Sequence, residues 1–397
     1  MKTEEIKSLN DQFIINTYGA RKLALTRGEG VRLWDADGKE YLDCFSGIAV
    51  CNLGHCHPAV TQAICEQAAK LVHVSNLYYI EPQVQLAELL SSLCFARKWF
   101  FCNGGAEANE AAIKLARRYW VQKGTPKPVI VTAEQSFHGR TLATITATGQ
   151  PKYQKGFEPL PQGFKYVPFN DLAALEAAIT PDVGAVLIEP IQGEGGVRMP
   201  ELGYLQAVRK LCTEKNVLLI FDEVQTGLGR TGVLFAHQDY GITPDIMTLA
   251  KGLANGVPIG AMGCTDEAAS GFEPGMHACT FGGNPLSAAA SLATIQVLTE
   301  PGFISNAAQV GLHFFHLLDK LAAEHASIVE VRGKGLIIGI EFKDAVAPLI
   351  GKLLDAGIIC GPAGPNVLRF LPPLIITKEQ VEQVVGKLAA CLGELEW

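Results

Sequence analysis

Two apolar segments of this sequence end in residues that can do chemistry. The segment "VLLIFDE" (217–223) runs into Asp222 and Glu223, and the segment "DIMTLAK" (245–251) ends in Lys251. A desolvated lysine has a lowered pKa and can attack a carbonyl as a neutral amine, forming a Schiff base. A carboxylate held at the end of a rigid strand can compensate a positive charge on a ligand. Taken singly, each residue can also have a purely structural role: the lysine can extend into solvent, and the aspartate can cap a helix.

A third segment could bind a phosphate. "FFCNGGAEANEAA" indicates a strand, a Gly-Gly turn and the start of a helix. Unpaired backbone N–H groups at a helix start carry partial positive charge and can hold an anion, although a plain turn is an equal alternative. A phosphate cradle, a Schiff-base lysine and an acid for a ring nitrogen together suggest pyridoxal 5'-phosphate (PLP), which acts as an electron sink while its pyridine nitrogen is protonated.

The elements that must position these residues alternate between strands and helices. Amphipathic segments such as "AEANEAAIKLARRYWVQK" separate apolar runs, which predicts an α/β fold with a large, mainly parallel sheet covered by helices on both faces. In such sheets ligands bind beyond the carboxyl ends of the strands, where Asp222 and Lys251 are expected. The strand candidates are 99–103, 128–134, 185–191, 217–223 and 245–251.

The pattern of predicted secondary structure at the two ends of the chain differs from that in the middle. Residues 1–50 contain "GVRLWDADGKEYLDCF", two short strands around a turn at Asp37-Gly38. After about residue 288 the chain becomes helix-rich, with strand-like "GKGLIIGIEF" and "VLRFLPPLIIT". The expected organisation is a large domain over 51–288 and a smaller α/β domain over 289–397, packed against the N-terminal segment 1–50.

Composition argues against several classes of function. Of the 397 residues, 48% are hydrophobic and 18% charged, so a substantial core can form. The formal net charge of −7, without a basic tail, disfavours a nucleic-acid partner or a polybasic membrane anchor. The 11 cysteines are scattered and the chain start does not resemble a signal peptide, so reduced thiols and a cytoplasmic location are expected. "GHCHP" is interpreted as a turn rather than as a metal site.

Six motifs in family order resemble the class III aminotransferases, PLP-dependent enzymes of fold type I. They are "FCNGGAEANEAAIKLAR", "SFHGRT", "EPIQGEGG", "FDEVQTGLGRTG", "LAKGLANGVPIGA" and "TFGGNPL". Within the family, "GIAVCNLGHCHP", "SNLYYIEPQVQLAELL" and "VLRFLPPLIIT" are most similar to the acetylornithine aminotransferases. The resemblance implies transfer of the δ-amino group of N2-acetyl-L-ornithine to 2-oxoglutarate, a step of arginine biosynthesis.

The same resemblance assigns cofactor roles. It makes Lys251 the lysine that binds PLP and shuttles protons, and it places Asp222 on the ring nitrogen. Phe137 is expected to stack on the ring, although a lone phenylalanine is more often a core residue. A homodimer is implied, because one further contact comes from the neighbouring subunit. The remaining expected cofactor contacts are Gly105, Ala106, Glu223, Val224, Gln225 and, from the neighbouring subunit, Thr280.

Substrate roles are implied in the same way. Arg369 lies inside an apolar run, where a guanidinium needs a partner, and is expected to bind the α-carboxylate of glutamate or 2-oxoglutarate. The alternative is that Arg369 forms a structural salt bridge. Arg140 is expected to bind the distal carboxylate of those substrates and the α-carboxylate of acetylornithine. Glu194 is expected to pair with Arg369 when no glutamate is bound.

Some positions depart from the family pattern. Ornithine aminotransferases carry a tyrosine where this chain has Ile48, which argues against free ornithine as the donor. Tyr18 matches an aromatic residue of those enzymes and is counted among the substrate contacts. Gly104 replaces a usual Ser or Thr, and Cys279 replaces one near the substrate. Succinylornithine or 4-aminobutyrate transamination, a PLP aminomutase and a cofactor-free homologue therefore stay as alternatives.

Overall fold

A computed structural model describes residues 1–395, which fold into three sheets and fifteen α-helices over that range. The last two residues of the predicted C-terminal domain, 396 and 397, lie outside the described part. The strands are β1 Leu25–Glu29, β2 Arg32–Asp35, β3 Glu40–Asp43, β4 Lys98–Cys102, β5 Val129–Ala133, β6 Phe164–Val167, β7 Val183–Ile188, β8 Leu218–Asp222, β9 Ile246–Leu249, β10 Gly260–Cys264, β11 Ile328–Lys334, β12 Ile337–Phe342, β13 Ile358–Ile359, β14 Gly361–Pro362 and β15 Val367–Phe370.

Helices account for about half of the chain outside these strands. None of those within residues 1–395 combines the length and the apolar character that crossing a bilayer requires. The α-helices are α1 Thr3–Phe13, α2 Ser46–Ala49, α3 Pro58–Lys70, α4 Glu81–Leu93, α5 Gly105–Gln122, α6 Leu142–Ala147, α7 Pro151–Gln154, α8 Leu172–Ala178, α9 Tyr204–Glu214, α10 Ala236–Asp239, α11 Asp266–Ala269, α12 Pro285–Leu298, α13 Phe303–Glu324, α14 Ala347–Asp355 and α15 Lys378–Gly393, and two 3₁₀ turns span Ser75–Leu77 and Lys251–Ala254.

The largest sheet has seven strands in the order β4-β10-β9-β8-β7-β5-β6. Only β10 runs against its neighbours, so the sheet is mainly parallel, and the predicted α/β fold is confirmed. Every residue of β5, β7 and β8 is buried, because alternate side chains pack under helices on opposite faces. Leu218 and Ile220 join a cluster with α5, whereas Leu219 and Phe221 join one with α9.

All five strand candidates of the large domain occur, with ends displaced by one to three residues. Strand β10 escaped prediction because Gly260 and Gly263 weaken its apolar pattern. The sheet explains one of these glycines: a Cβ at Gly263 would lie 2.5 Å from the Trp99 ring on β4, so only glycine lets the two strands pair.

Two four-stranded sheets flank the large one. The predicted hairpin at Asp37-Gly38 is present: β2 and β3 pair antiparallel, and the sheet order is β1-β2-β3-β13. Because β13 belongs to the C-terminal part, the N-terminal segment shares a sheet with it. The other sheet, β11-β12-β15-β14, is antiparallel. The domain division at residues 50 and 288 remains a proposal, and its second boundary falls inside α12.

Candidate active site

A cavity of about 370 Å³ lies at the carboxyl end of the large sheet. Its walls come from the segments that follow β4, β5, β7, β8 and β9, which is where an open parallel sheet collects its ligand-binding groups. Of the residues expected from the sequence, the following line this cavity: Gly105, Ala106, Phe137, Arg140, Glu194, Asp222, Val224, Gln225 and Lys251. The structure therefore brings together nine side chains or backbone segments drawn from five separate motifs.

Asp222 ends β8 and is nearly fully buried, with 4% of its surface exposed. Its Oδ2 accepts hydrogen bonds of 2.8 Å from Asn109 Nδ2 and from His138 Nδ1, while Oδ1 accepts one of 3.0 Å from the Val224 N–H. Thr248 in turn donates to Asn109 Oδ1 at 2.8 Å. Three donors thus hold the carboxylate in one orientation, where it can meet a cation in the cavity.

Lys251 follows β9 on the same edge of the sheet and lines the same cavity as Asp222. Burial lowers the pKa of its amine, a direction that the nearby carboxylates of Glu194 and Asp222 oppose and the Arg369 guanidinium reinforces. Its backbone has a positive φ of 44°, a strained conformation for a residue with a side chain. A lysine held this way is suited to nucleophilic attack on a carbonyl.

The first turn of α5 supplies the anion cradle. Gly104 caps the helix without a side chain, and a Cβ there would meet nothing within 4 Å. A Cβ at Gly105 would instead lie 2.8 Å from Val224 Cγ1, so glycine is needed for the helix start to approach the segment after β8. Gly105 and Ala106 of this turn line the same cavity as Asp222 and Lys251, and the first N–H groups of a helix have no partner within it.

Phe137 and Arg140 come from the loop after β5. The Phe137 backbone N–H donates to Glu189 Oε2 at 3.0 Å, and the Phe137 ring meets Tyr153 edge to face at 5.8 Å. The Arg140 guanidinium lies 4.2 Å from the centre of the Tyr153 ring and 5.4 Å from that of Phe137. Since Arg140 is exposed and has no carboxylate partner among the ion pairs of residues 1–395, its charge is available to an anionic ligand.

Arg369, on β15, does not line the cavity but lies behind two residues that do. Its Nη1 donates to Glu194 Oε1 at 2.7 Å and to Gln225 Oε1 at 3.1 Å. Burial, the largest single influence, raises the pKa of Glu194, but the Arg369 guanidinium, the Lys251 amine and the Gln225 amide together outweigh it, so the pKa is lowered. Gln225 was expected to face the phenolic oxygen of the cofactor; here its amide is bonded to Arg369 and Glu194 instead.

Besides Arg369, four expected residues are not in the cavity wall. Glu223, expected as a cofactor contact, follows the last residue of β8, and its carboxylate accepts from the Ala236 and His237 N–H groups and from His237 Nδ1. Cys279 is near the site, since Asn103 Nδ2 lies 3.2 Å from its Sγ. Thr280 and Tyr18 are exposed, and this chain alone does not bring them to its own cavity.

Sequence reasoning missed three polar residues at the cavity, namely Asn109, His138 and Glu189. The first two orient Asp222, and both lie inside motifs that were singled out for other residues. Glu189 follows β7, and its pKa is raised well above the usual value, first by burial and then by the charge of Asp222. Its position after an apolar strand, like that of Asp222, is the signal that could have identified it.

Comparisons with known proteins identify the family. The sequence model of the class III aminotransferases matches residues 15–392. An acetylornithine aminotransferase of Thermosynechococcus vestitus is 50% identical, with 97% of this chain and 96% of the relative covered, and one of Methanocaldococcus jannaschii is 47% identical with both chains covered completely.

Solved structures give the same result at the level of the fold. The ornithine aminotransferase of Toxoplasma gondii superposes with a TM-score of 0.96 at 34% identity, covering 100% of this chain and 96% of that one. The N-acetylornithine aminotransferase of Stenotrophomonas maltophilia has a TM-score of 0.83 at 39% identity, covering 98% of each chain. This chain therefore belongs to the class III aminotransferase family.

Proposed function

We propose that this aminotransferase moves the δ-amino group of N2-acetyl-L-ornithine to 2-oxoglutarate, giving N-acetyl-L-glutamate 5-semialdehyde and L-glutamate. The proposal is supported by the acetylornithine aminotransferases to which the chain is 46–50% identical over nearly its whole length. Such a step belongs to arginine biosynthesis, and a cytoplasmic location is proposed with it. Class III aminotransferases depend on PLP, and the cavity must therefore fit that group.

Three features of the cavity fit PLP. The first turn of α5 offers N–H groups and open space to a phosphate, and a side chain at Gly105 would close the approach to Val224. A buried lysine with a lowered pKa suits the aldehyde. A buried carboxylate with three fixed donors suits a protonated ring nitrogen, because the bound cation compensates its charge. Phosphate, aldehyde and ring nitrogen each have a matching group.

When bound, PLP supplies the electron sink that stabilises a carbanion next to the reacting nitrogen. The chain has to position that group and move protons. In this proposal Asp222 keeps the ring nitrogen protonated, held by Asn109 and His138. Lys251, whose amine is neutral more readily because burial lowers its pKa, would carry the proton from the substrate carbon to the cofactor in one half-reaction and in the reverse direction in the other. Phe137 would stack on the cofactor ring and help to hold it in place.

Two arginines are proposed to bind the carboxylates of the substrates. Arg140 is exposed at the cavity and would bind the α-carboxylate of acetylornithine, and the distal carboxylate of 2-oxoglutarate in the other half-reaction. Arg369 would bind the α-carboxylate of glutamate or 2-oxoglutarate once Glu194 leaves it. With Glu194 in place, at 2.7 Å, the guanidinium charge is neutralised, which favours a donor that presents no carboxylate at that point.

A homodimer is proposed with its active sites at the subunit interface. The support from this chain is that Thr280 and Tyr18 are exposed and that large apolar side chains near Thr280 are exposed as well. Tyr79 is 102% exposed, Leu77 81% and Phe281 58%. Exposed apolar area of this kind marks an interaction surface. In the dimer, Thr280 would reach the phosphate of the neighbouring subunit's cofactor.

The observation that carries the proposal is the convergence of Lys251, Asp222 and the first turn of α5 on one cavity, with Arg369 behind Glu194. It is tested by mixing the PLP-loaded enzyme with acetylornithine alone and following the cofactor absorbance. The absorbance should bleach and then recover when 2-oxoglutarate is added. An absorbance that stays unchanged with every amino donor would refute transamination itself.

A panel of amino donors decides the substrate. We expect the highest kcat/KM for acetylornithine, with succinylornithine and 4-aminobutyrate lower. A higher value for either of these would replace the proposed donor without changing the reaction class. Turnover of a donor without any oxo-acid acceptor would instead identify an aminomutase.

A further inference from the structure

Arg369 is screened from the cavity by two side chains rather than by one. Glu194 and Gln225 both line the cavity, whereas Arg369 is only 2% exposed and is not part of the wall. Its Nη1 donates to Glu194 Oε1 at 2.7 Å and to Gln225 Oε1 at 3.1 Å. Gln225 Nε2 donates to the same Glu194 oxygen at 3.3 Å. The three side chains thus form a closed ring of hydrogen bonds.

Only one orientation of the Gln225 amide satisfies both partners. Its oxygen must face the guanidinium, which has donors only, and its NH₂ group must face the carboxylate, which accepts only. An amide turned the other way would place donors against Arg369 and an acceptor against Glu194. Gln225 is therefore oriented so that its NH₂ group points at whichever carboxylate occupies the place next to Arg369.

Gly193 makes this position of Gln225 possible. A Cβ at residue 193 would lie 1.9 Å from Gln225 Oε1, closer than any side-chain contact allows. The clashing atom is the end of a flexible side chain, and the backbone at residue 193 does not have the positive φ that restricts a position to glycine. An alanine at 193 would thus displace the Gln225 amide from Arg369 while leaving the backbone able to keep its course.

We propose that Gln225 is a specificity-determining residue that holds, together with Arg369, the α-carboxylate of 2-oxoglutarate and glutamate. It does so with the NH₂ group that otherwise donates to Glu194, while its oxygen keeps Arg369 in place during the exchange. The inference rests on the proposed assignment of Arg369 to that carboxylate. When Glu194 departs, the buried guanidinium keeps one acceptor, which limits the cost of leaving a charge unpaired.

The two half-reactions should respond differently to loss of this amide. When the carboxylate of a donor binds to Arg140, the hydrogen bonds among Arg369, Glu194 and Gln225 stay intact. Such a donor makes no contact with Gln225 next to Arg369. 2-Oxoglutarate needs Glu194 to leave and loses one hydrogen bond to a charged group when the amide is absent. Such a bond corresponds to a change in affinity of about 10-fold or more. A residue needed only for folding or for cofactor binding would weaken both substrates alike.

The experiment uses two variants that remove the contact by different routes, Gln225→Ala and Gly193→Ala. The affinity for 2-oxoglutarate is measured by titration calorimetry on the resting PLP-loaded enzyme without an amino donor, and the Michaelis constant for the amino donor is measured separately. The matched control is Gln192→Ala, because this buried glutamine precedes Gly193 and its amide donates to the Glu134 carbonyl at 2.8 Å.

We expect both test variants to weaken 2-oxoglutarate binding about 10-fold or more, with the Michaelis constant for the donor changed less than threefold, and the control to leave the ratio of the two unchanged. An equal loss for both ligands, or none in either test variant, would overturn the role of Gln225. Because the calorimetric titration needs no amino donor, a wrong choice of donor under the proposed function would not affect the measured loss of 2-oxoglutarate affinity.

Discussion

The replacement Asp222→Asn tests the central electrostatic contact of the site. Asparagine has nearly the shape of aspartate but no charge, and its NH₂ group would face donors, since Asn109 Nδ2 and His138 Nδ1 both point at Oδ2 from 2.8 Å. Leaving a buried donor unsatisfied costs about 1–3 kcal/mol. We therefore expect the free energy of unfolding to fall by about that amount in the enzyme without cofactor.

The effect on catalysis should be larger. An opposite charge beside an ionisable group changes its pKa by about 1–3, and each pKa unit corresponds to about 1.36 kcal/mol. Without the carboxylate, the protonated fraction of the cofactor ring nitrogen should fall by about 10- to 1000-fold at neutral pH, and kcat should fall with it. The Michaelis constant for the oxo-acid acceptor should change little, because Asp222 takes no part in binding its carboxylates.

The assay is single-turnover bleaching of the cofactor absorbance by the amino donor, with cofactor content measured in parallel. Asp245→Asn is the matched control, since that aspartate precedes β9 at the opposite end of the strand and its Oδ2 accepts from Arg209 Nη1 at 2.8 Å. A single-turnover rate for Asp222→Asn within threefold of the unmodified enzyme, at full cofactor content, would refute the ring-nitrogen contact.

Four further outcomes are expected. Gly105→Ala should weaken retention of PLP during dialysis because its Cβ would lie 2.8 Å from Val224, whereas Gly104→Ala, whose Cβ meets nothing within 4 Å, should retain it. Glu223→Gln should lower the unfolding temperature, because the Glu223 carboxylate accepts three hydrogen bonds away from the cavity. The absorbance of bound PLP should stay unchanged, and a changed spectrum would show that Glu223 contacts the cofactor. The hydrogen bond to Asp43, at 2.7 Å, is the main cause that raises the pKa of His55 to about 10, so the stability it contributes is complete below about pH 6.5 and is lost as the pH rises through 10. His55→Ala should therefore destabilise the protein by about 1.5–3 kcal/mol at pH 6 in urea unfolding, and a deficit of the same size at pH 10 would contradict the charged pair. Lys251→Ala should abolish turnover without lowering the unfolding temperature of the cofactor-free protein, because it removes a buried amine and leaves the strain of the positive φ unchanged. Measurable turnover would exclude Lys251 as the essential amine.

Much of the fold could be predicted because the signals are local. Runs such as 217–221 are apolar at every position, and a strand buried on both faces needs that pattern. Parallel strands gather their carboxyl ends at one edge, so the polar residues that end such runs must be neighbours. This is why Asp222, Lys251 and the first turn of α5 could be expected at a single cavity. Strand β10 lacked the signal, since one of its glycines makes room for a neighbouring tryptophan.

Other features depend on contacts between distant segments. The sequence shows two adjacent carboxylates, at 222 and 223, and strand geometry requires them to face opposite sides. Which one faces the cavity depends on the helices above and below the sheet: α10 offers two N–H groups and a histidine to Glu223, and α5 offers Asn109 to Asp222. No local pattern in "FDEVQTG" contains that information.

By itself, then, the amino-acid sequence determined the α/β architecture, the cofactor class and the set of residue types at the site. It could do so because the patterns that indicate buried strands and family membership each lie within a short segment. The tertiary structure alone decided how those residues are connected. The ring formed by Arg369, Glu194 and Gln225 joins positions up to 175 residues apart, and its existence depends on an absent side chain at Gly193. Hydrogen-bond partners follow from three-dimensional proximity, and proximity between separate segments arises only when the sheets and helices have packed.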